Sequence, residues 1–332
     1  MTASKRIYLL PYFHELLIVV NFLIIHLMFR RESDAVLTTL PSTLLVIGST
    51  LVMQALGGVI ARLIVATGQG KARAYLRIIR SPGWITDTLR LIFFGALMTH
   101  VYGWIKLTVP LFHARRFDQE LWNLDRALFF GHSPNIFFLD VFSNRAVLVA
   151  VDWSYAMVFI GSLSIAFGFF LSSPSRRLRI AFTNGNSWLW IVGAWLYLLV
   201  PSLGPAYGFG EIWFAFTDAL AHTQSMQALL LKNYQNVLRI RSTGGDVSVL
   251  FGIAAFPSLH VGFQMYVLLW MRKVWIYGEI VFGVFVFVIF LGSMITGWHY
   301  MVDGLAGMAL AALAYWVSSR AFRTNEWLRI SG

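Results

Sequence analysis

Cysteine is absent from the 332 residues. Its absence excludes thiolate zinc sites, iron–sulfur clusters, a cysteine nucleophile and any disulfide framework. Charge is nearly as scarce: 12% of the residues are Asp, Glu, Lys or Arg, against about 25% in a soluble domain. Acids are the scarcer sign, 15 against 26 basic residues. There is no internal repeat, which weighs against the inverted-repeat transporter folds. What fills the chain is apolar, 58% hydrophobic and 16% aromatic, with a mean hydropathy of +0.68. A water-soluble fold of this length could not bury that much apolar surface, and a disordered chain would not carry it. The composition therefore reads as an all-α, polytopic helical membrane protein.

A helical crossing needs ~20 mostly apolar residues. Eight runs qualify, at about 8–29, 36–66, 84–110, 146–172, 181–203, 249–271, 274–297 and 300–319. The second is too long for an untilted span, and Gly57-Gly58 predicts a break within it. The third carries Asp87 and Arg90, which predicts a lower end at the membrane interface. The first run contains Glu15, Asn21 and His26 and has no small-residue cleavage site, so it reads as a span or signal anchor rather than a cleaved signal peptide.

A net charge of +11 and a pI near 10.1 would point to nucleic acid in a soluble protein. Here the basic residues sit in short links between apolar runs, so lipid head groups are the expected partner and nucleic acid is not. With the N-terminus inside, the cytoplasmic links hold 14 basic residues and the opposite side holds 9; Arg62, Arg90 and Lys106 lie within spans and complete the 26. Both termini are thus expected in the cytoplasm. The basic link 68–83, GQGKARAYLRIIRSPG, predicts a short helix on the inner leaflet. It is not a P-loop: Val65 stands where that motif needs glycine, and Ala72 where it needs Ser or Thr.

The informative residues lie in AAFPSLHVGF (254–263) and TGWHYMVDGLAG (296–307). Between His260 and His299 the chain has room to cross, turn at the basic link 271–273 and return, which brings both histidines to one face. His299 and Asp303 are spaced i,i+4, so the carboxylate can orient the imidazole and raise its basicity, as a nucleophile or base requires. Pro257 is placed to start a helix, with Ser258 and its neighbours at the positive end of the dipole, a ready anion site. The competing reading is that membrane histidines are packed polar groups bonded to a neighbouring helix, as expected for His14, His26 and His100, while His113, His132 and His222 read as exposed loop residues. Two histidines and an aspartate could also form a facial metal set, but that leaves the helix-start anion site without a purpose.

At these residues the sequence resembles the type 2 phosphatidic acid phosphatase superfamily. FPSLH resembles its second motif and GWHYMVD its third, in a variant similar to the inositol phosphorylceramide synthase branch. RRFDQELWNLDRALFFGHSPN (115–135) resembles an external stretch of that branch. The resemblance spans about 110–310 and implies a six-helix core within a catalytic transmembrane domain, 84–320, with external loops 111–145 and 204–248. That domain would follow N-terminal spans and a basic link, 1–83, and precede a cytoplasmic tail, 321–332. It also implies a phosphohistidine mechanism that needs no metal or cofactor. His299 would attack phosphorus, Asp303 would orient it, His260 would protonate the leaving oxygen, and Ser258 with nearby backbone N–H groups would hold the phosphoryl oxygens. The partners would be a phospholipid donor and a lipid alcohol or water acceptor, at the outer or lumenal face of a plasma membrane or endomembrane. The chain departs from the family pattern in two places. Ser293 stands where the third motif has arginine, and the first motif, with its lysine and Arg-Pro, is missing; Gly204-Pro205 in PSLGPAYGFG stands nearest to its place. The cations a phosphate needs are then expected from Lys232, Arg239 and Arg241, with Arg115 and Arg116 also available. A lipid phosphate or polyprenyl pyrophosphate phosphatase is the alternative enzyme; a transporter or a structural membrane protein is the non-enzyme alternative.

Overall fold

The computed structural model describes residues 12–30, 32–112, 114–243 and 247–320. The expected tail 321–332, the residues Lys5, Arg6, Arg31, His113, Arg323 and Arg329, and the Arg241 side chain lie outside this description. Among the described residues there is no β-strand; the chain is a bundle of α-helices joined by turns. In order these are α1 (Phe13–Met28), α2 (Ser33–Leu37), α3 (Leu40–Gly68), α4 (Ala72–Ile79), α5 (Pro82–Phe112), α6 (Asp118–Leu128), α7 (Pro134–Val141), α8 (Arg145–Leu171), α9 (Arg176–Leu199), α10 (Pro205–Gly208), α11 (Ala221–Thr243), α12 (Leu259–Val274), α13 (Ile276–Ile295) and α14 (Met301–Arg320). The protein is an all-α polytopic membrane protein.

Local chemistry marks the helix starts. Ser133, Asn144, Ser175 and Ser258 each accept a backbone N–H of the first turn through the side chain. Proline occupies the first turn of α3, α7 and α10, where its missing N–H costs nothing.

Five segments are long and apolar enough to cross a membrane: Ser33–Gly68, Pro82–Phe112, Arg145–Leu171, Ile276–Ile295 and Met301–Arg320. The remaining three expected spans are also helices, but differ for physical reasons. α1 and α12 have 16 residues each. α9 carries the polar run Thr183-Asn184-Gly185-Asn186-Ser187, and packs against α1, α5, α12 and α14. It faces protein on nearly every side, so it does not need the apolar surface that lipid demands.

Two expectations change. The break predicted at Gly57-Gly58 is not there; α3 runs unbroken from Leu40 to Gly68. Gly58 serves the packing instead, since a Cβ there would collide with the Gly168 carbonyl of α8. The run expected to span from 249 becomes helical at Leu259. Residues 249–258 form a single 3-10 turn, Val249–Phe251, and an extended segment ending in Pro257, which cannot donate to a preceding turn. The short helix expected in the basic link is α4, with its Tyr75 hydroxyl donating to the Ser172 carbonyl.

The ends of the bundle differ in chemistry. At one end Asp87 pairs with Arg176 at 2.7 Å, with Arg179 at 3.6 Å and with the Tyr12 hydroxyl, while Arg90 pairs with Glu15 at 2.6 Å. The other end carries α6, α7, α10, α11 and the segment before α12. It also holds both histidines of the two motifs.

Candidate active site

The expected convergence of the two histidines occurs. α12 presents His260 one residue into the helix, and the turn between α13 and α14 presents His299. Their rings stand edge to face with centroids 5.6 Å apart. Two close approaches bring the supporting backbones together. Gly307 of α14 lies against the Ser258 carbonyl, where a Cβ would collide, and the Ser258 N–H donates to the Asp303 carbonyl at 2.8 Å.

His299 Nδ1 lies 3.3 Å from Asp303 Oδ2, which also accepts the Tyr300 N–H at 2.9 Å. Asp303 is fully buried, and its Oδ1 has no hydrogen-bond partner. With Nδ1–H directed at this carboxylate, the lone pair of a neutral His299 belongs to Nε2. Burial, and secondarily the positive charge of Lys106, push the His299 imidazole down to about 3, so it is neutral at ordinary pH. His260 Nδ1 faces the Tyr155 hydroxyl at 3.0 Å, and Phe159 stands edge-on to the ring at 4.3 Å. The Tyr155 contact leaves His260 Nε2 as the nitrogen available for proton transfer.

The turn that carries His299 is held from outside by five side chains. Trp213 donates to the Ile295 carbonyl at 2.8 Å, Gln227 to the Thr296 carbonyl at 3.0 Å, and Asn135 to both the Met294 and His299 carbonyls at 3.0 Å. Asp125 accepts the Met301 and Val302 N–H groups at 2.7 and 2.8 Å, capping α14. Asp118 accepts the Tyr300 hydroxyl at 2.9 Å together with the Leu203 and Gly204 N–H groups. Asp118 and Asp125 are seven residues apart, two turns along one face of α6, which explains how one short helix clamps the site from above. Sequence reasoning placed these two and Asn135 inside the family-like external stretch but gave them no role. The i,i+7 acids were the available signal. Tyr155, Trp213 and Gln227 had none.

The remaining expected residues are placed as follows. Ser258 is fully buried, and its hydroxyl accepts the Val261 N–H as the α12 cap. Gly204, at φ +104°, packs so closely on the Trp298 carbonyl that a Cβ would stand 2.5 Å from its oxygen, and Pro205 opens α10 beside it. The segment is joined to the histidine turn by the Ala206 N–H, which donates to the Gly297 carbonyl. Lys232 and Arg239 are exposed on α11 and are not among the residues lining the cavities at the histidines. Arg115 pairs with Glu120, and Arg116 donates to the Tyr234 hydroxyl. Among the other histidines, His14 bonds Asn184 at 2.8 Å, and exposed His222 stacks on Trp153. Among the described residues no group of three His, Asp or Glu side chains is placed to hold a metal ion.

Two cavities open onto the pair. One, of about 360 Å³, reaches both histidines and is lined by Tyr155, Met226, Leu230 and Trp298. The other, of about 290 Å³, runs from His260 between α3, α5, α8 and α9 as far as Leu171 and Thr183. Both linings are mainly apolar. They share Tyr102, Lys106, Phe159, Leu250 and His260.

A helical membrane bundle with an aspartate-supported histidine facing a second histidine at one end defines an integral-membrane protein with a histidine pair held in place at that end. A family model described as the PAP2 superfamily matches residues 119–317, more than half of the chain, and the chain belongs to that superfamily. The match contains both histidine motifs and α6 from its second residue on. Membership supports phosphatase- or phosphotransferase-type activity on lipid phosphoesters at the level of the family. Neither the curated proteins nor the solved structures yield a match.

Proposed function

We propose that this protein is a lipid phosphotransferase that moves a phospho-head group from one lipid to another, in the manner of inositol phosphorylceramide synthases. The observation that carries the reading is that two apolar cavities, running off in different directions through the bundle, meet at His260. A hydrolase needs one lipid and water, whereas a transferase must seat two hydrocarbon-bearing substrates against one reacting pair.

In the first step the neutral Nε2 of His299 attacks phosphorus and the bond from phosphorus to the leaving oxygen breaks. Protonated His260 gives its proton to that oxygen, and a phosphohistidine remains. In the second step neutral His260 takes the proton from the acceptor hydroxyl, whose oxygen attacks phosphorus and releases His299. Asp303 holds the His299 tautomer and stabilises the cationic character that develops on the ring. The clamp of Asp118, Asp125, Asn135, Trp213 and Gln227 keeps the turn in place, so that little reorganisation remains at the moment of transfer. No step is assigned to a metal.

The test is incubation of the purified protein with labelled phospholipids, with and without ceramide or other long-chain alcohols, in excess chelator. A new phospholipid that forms only with the alcohol supports transfer. Free phosphate formed regardless of the alcohol establishes the phosphatase reading instead, and activity that returns only with one divalent ion overturns the metal-free mechanism.

A further inference from the structure

The sequence places three cations inside apolar runs: Arg62, Arg90 and Lys106. An unpaired charge in such a segment is costly, and it persists where it is paired or has work to do. Arg90 is paired with Glu15. Arg62 donates to the Ser172 hydroxyl and the Phe169 carbonyl, both at 2.9 Å, and lies over the Phe169 ring. Lys106 differs from both. Among the described residues it pairs with no carboxylate; its ammonium stands over the faces of Tyr197 and Tyr102, at 5.4 and 5.9 Å from the ring centroids. It lines both cavities at the point where they share His260.

The surrounding backbone is shaped to this side chain. Gly103 lets α5 press on the Val249 carbonyl, where a Cβ would collide. Three residues on, the Lys106 stem lies against Gly252, whose added Cβ would come within 3.0 Å of the lysine Cγ. The aliphatic stem is thus gripped between α5 and the extended segment 249–258, and the charged end is left to the cavity. The tyrosine faces soften the cost of desolvation without neutralising the charge.

We infer that Lys106 is the oxyanion-binding residue of this site, holding the non-bridging phosphoryl oxygens of the lipid phosphoester between His260 and His299. This rests on the phosphoryl-transfer reading above, and supplies it with a cation from inside the bundle instead of from the exposed face of α11.

The experiment uses the full chain in lipid nanodiscs and inorganic phosphate as the probe, with binding followed by ³¹P NMR and unfolding followed by thermal melt. Wild type and Lys106→Arg should bind phosphate with affinities within about threefold of each other, and Lys106→Gln and Lys106→Met should weaken binding by about tenfold or more. The neutral variants should melt no lower than wild type, because they remove a half-buried charge that pairs with no carboxylate among the described residues; a packing role for Lys106 would move the melt down. If Lys106→Gln does not fold, Gly252→Ala decides, since it displaces the ammonium and keeps the charge, and should weaken phosphate several-fold. Phosphate binding that is absent in wild type, or unchanged in Lys106→Gln or, in that case, in Gly252→Ala, overturns the inference. Binding needs no turnover, so the two readings fail separately: phosphate held through Lys106 in a protein that turns over no lipid phosphoester would leave Lys106 standing and remove the transferase.

Discussion

The proposed nucleophile, His299, is shaped by its surroundings. Asp303 takes Nδ1, burial keeps the ring neutral, and His260 faces it across a gap of 5.6 Å between ring centroids. His299→Ala should abolish turnover while leaving the thermal melt close to wild type. Asp303→Asn keeps the volume and removes the charge that supports a developing imidazolium, so turnover should fall on the order of 10²–10⁴. With a leaving group that needs little protonation, such as p-nitrophenol, His260→Ala should still complete the first step and stall in the second. Acid-labile, base-stable phosphate should then accumulate on His260→Ala and be missing from His299→Ala. Full activity in His299→Ala, or acid-stable phosphoserine at Ser258, would remove the mechanism.

At the scale of the element, α6 is a clamp whose strength depends on pH. Burial raises the Asp125 carboxyl to about 6, outweighing the two N–H groups that favour its charged form. The folded protein therefore holds a proton at Asp125 between about pH 4 and pH 6 that the unfolded chain has already released. Stability contributed by this group is present below about pH 4 and lost as the pH rises through the folded-state value. Asp125→Asn cannot titrate. Its melting temperature minus that of wild type should therefore be more positive at pH 7 than at pH 4, by ~2–4 °C. A difference that is flat with pH, or larger at pH 4, would show that Asp125 is charged throughout. Activity carries the same signal, since α14 begins at the residues Asp125 caps, two positions from Asp303.

Across the whole molecule, the site sits at one end of the bundle and the ion-paired network of Asp87, Arg176, Arg179, Arg90 and Glu15 at the other. The positive-inside rule assigns that second end, with the basic link and α4, to the cytoplasm. The absence of cysteine makes this simple to check. Single cysteines at Thr2 and at Ser225, which is exposed on α11, should label with an impermeant reagent from opposite sides of an intact membrane. Labelling of both from the same side would reverse or break the proposed topology, and with it the placement of the histidines on the outer face.

Composition determined that the chain belongs in lipid, and apolar runs of ~20 residues, about twice the length of a barrel strand, determined that it crosses as helices. Spacing determined that His260 and His299 return to one end and that His299 and Asp303 share a helical face, because crossing length and helix pitch are fixed by backbone geometry. The glycines were less legible. Gly57-Gly58 read as a break, yet Gly58 admits a neighbouring helix, and a sequence holds no sign of which backbone will approach. The polar stretch of α9 could not be assigned to a central position for the same reason. Apart from the i,i+7 spacing of Asp118 and Asp125, the supports of the site left no signal in the sequence, and that spacing did not say what the two acids hold. Tyr155 lies 105 residues from His260 along the chain, and Asp125 about 175 from the helix it caps. Cations were legible as charges but not as neighbours: Lys232, Arg239 and Arg241 stand near FPSLH in the chain, whereas Lys106, some 150 residues earlier, is the one among the described side chains that meets His260 in a cavity. Proximity along the chain ranks candidates by loop length, whereas a folded bundle ranks them by which helices pack together, and that ranking exists only once the tertiary structure has formed.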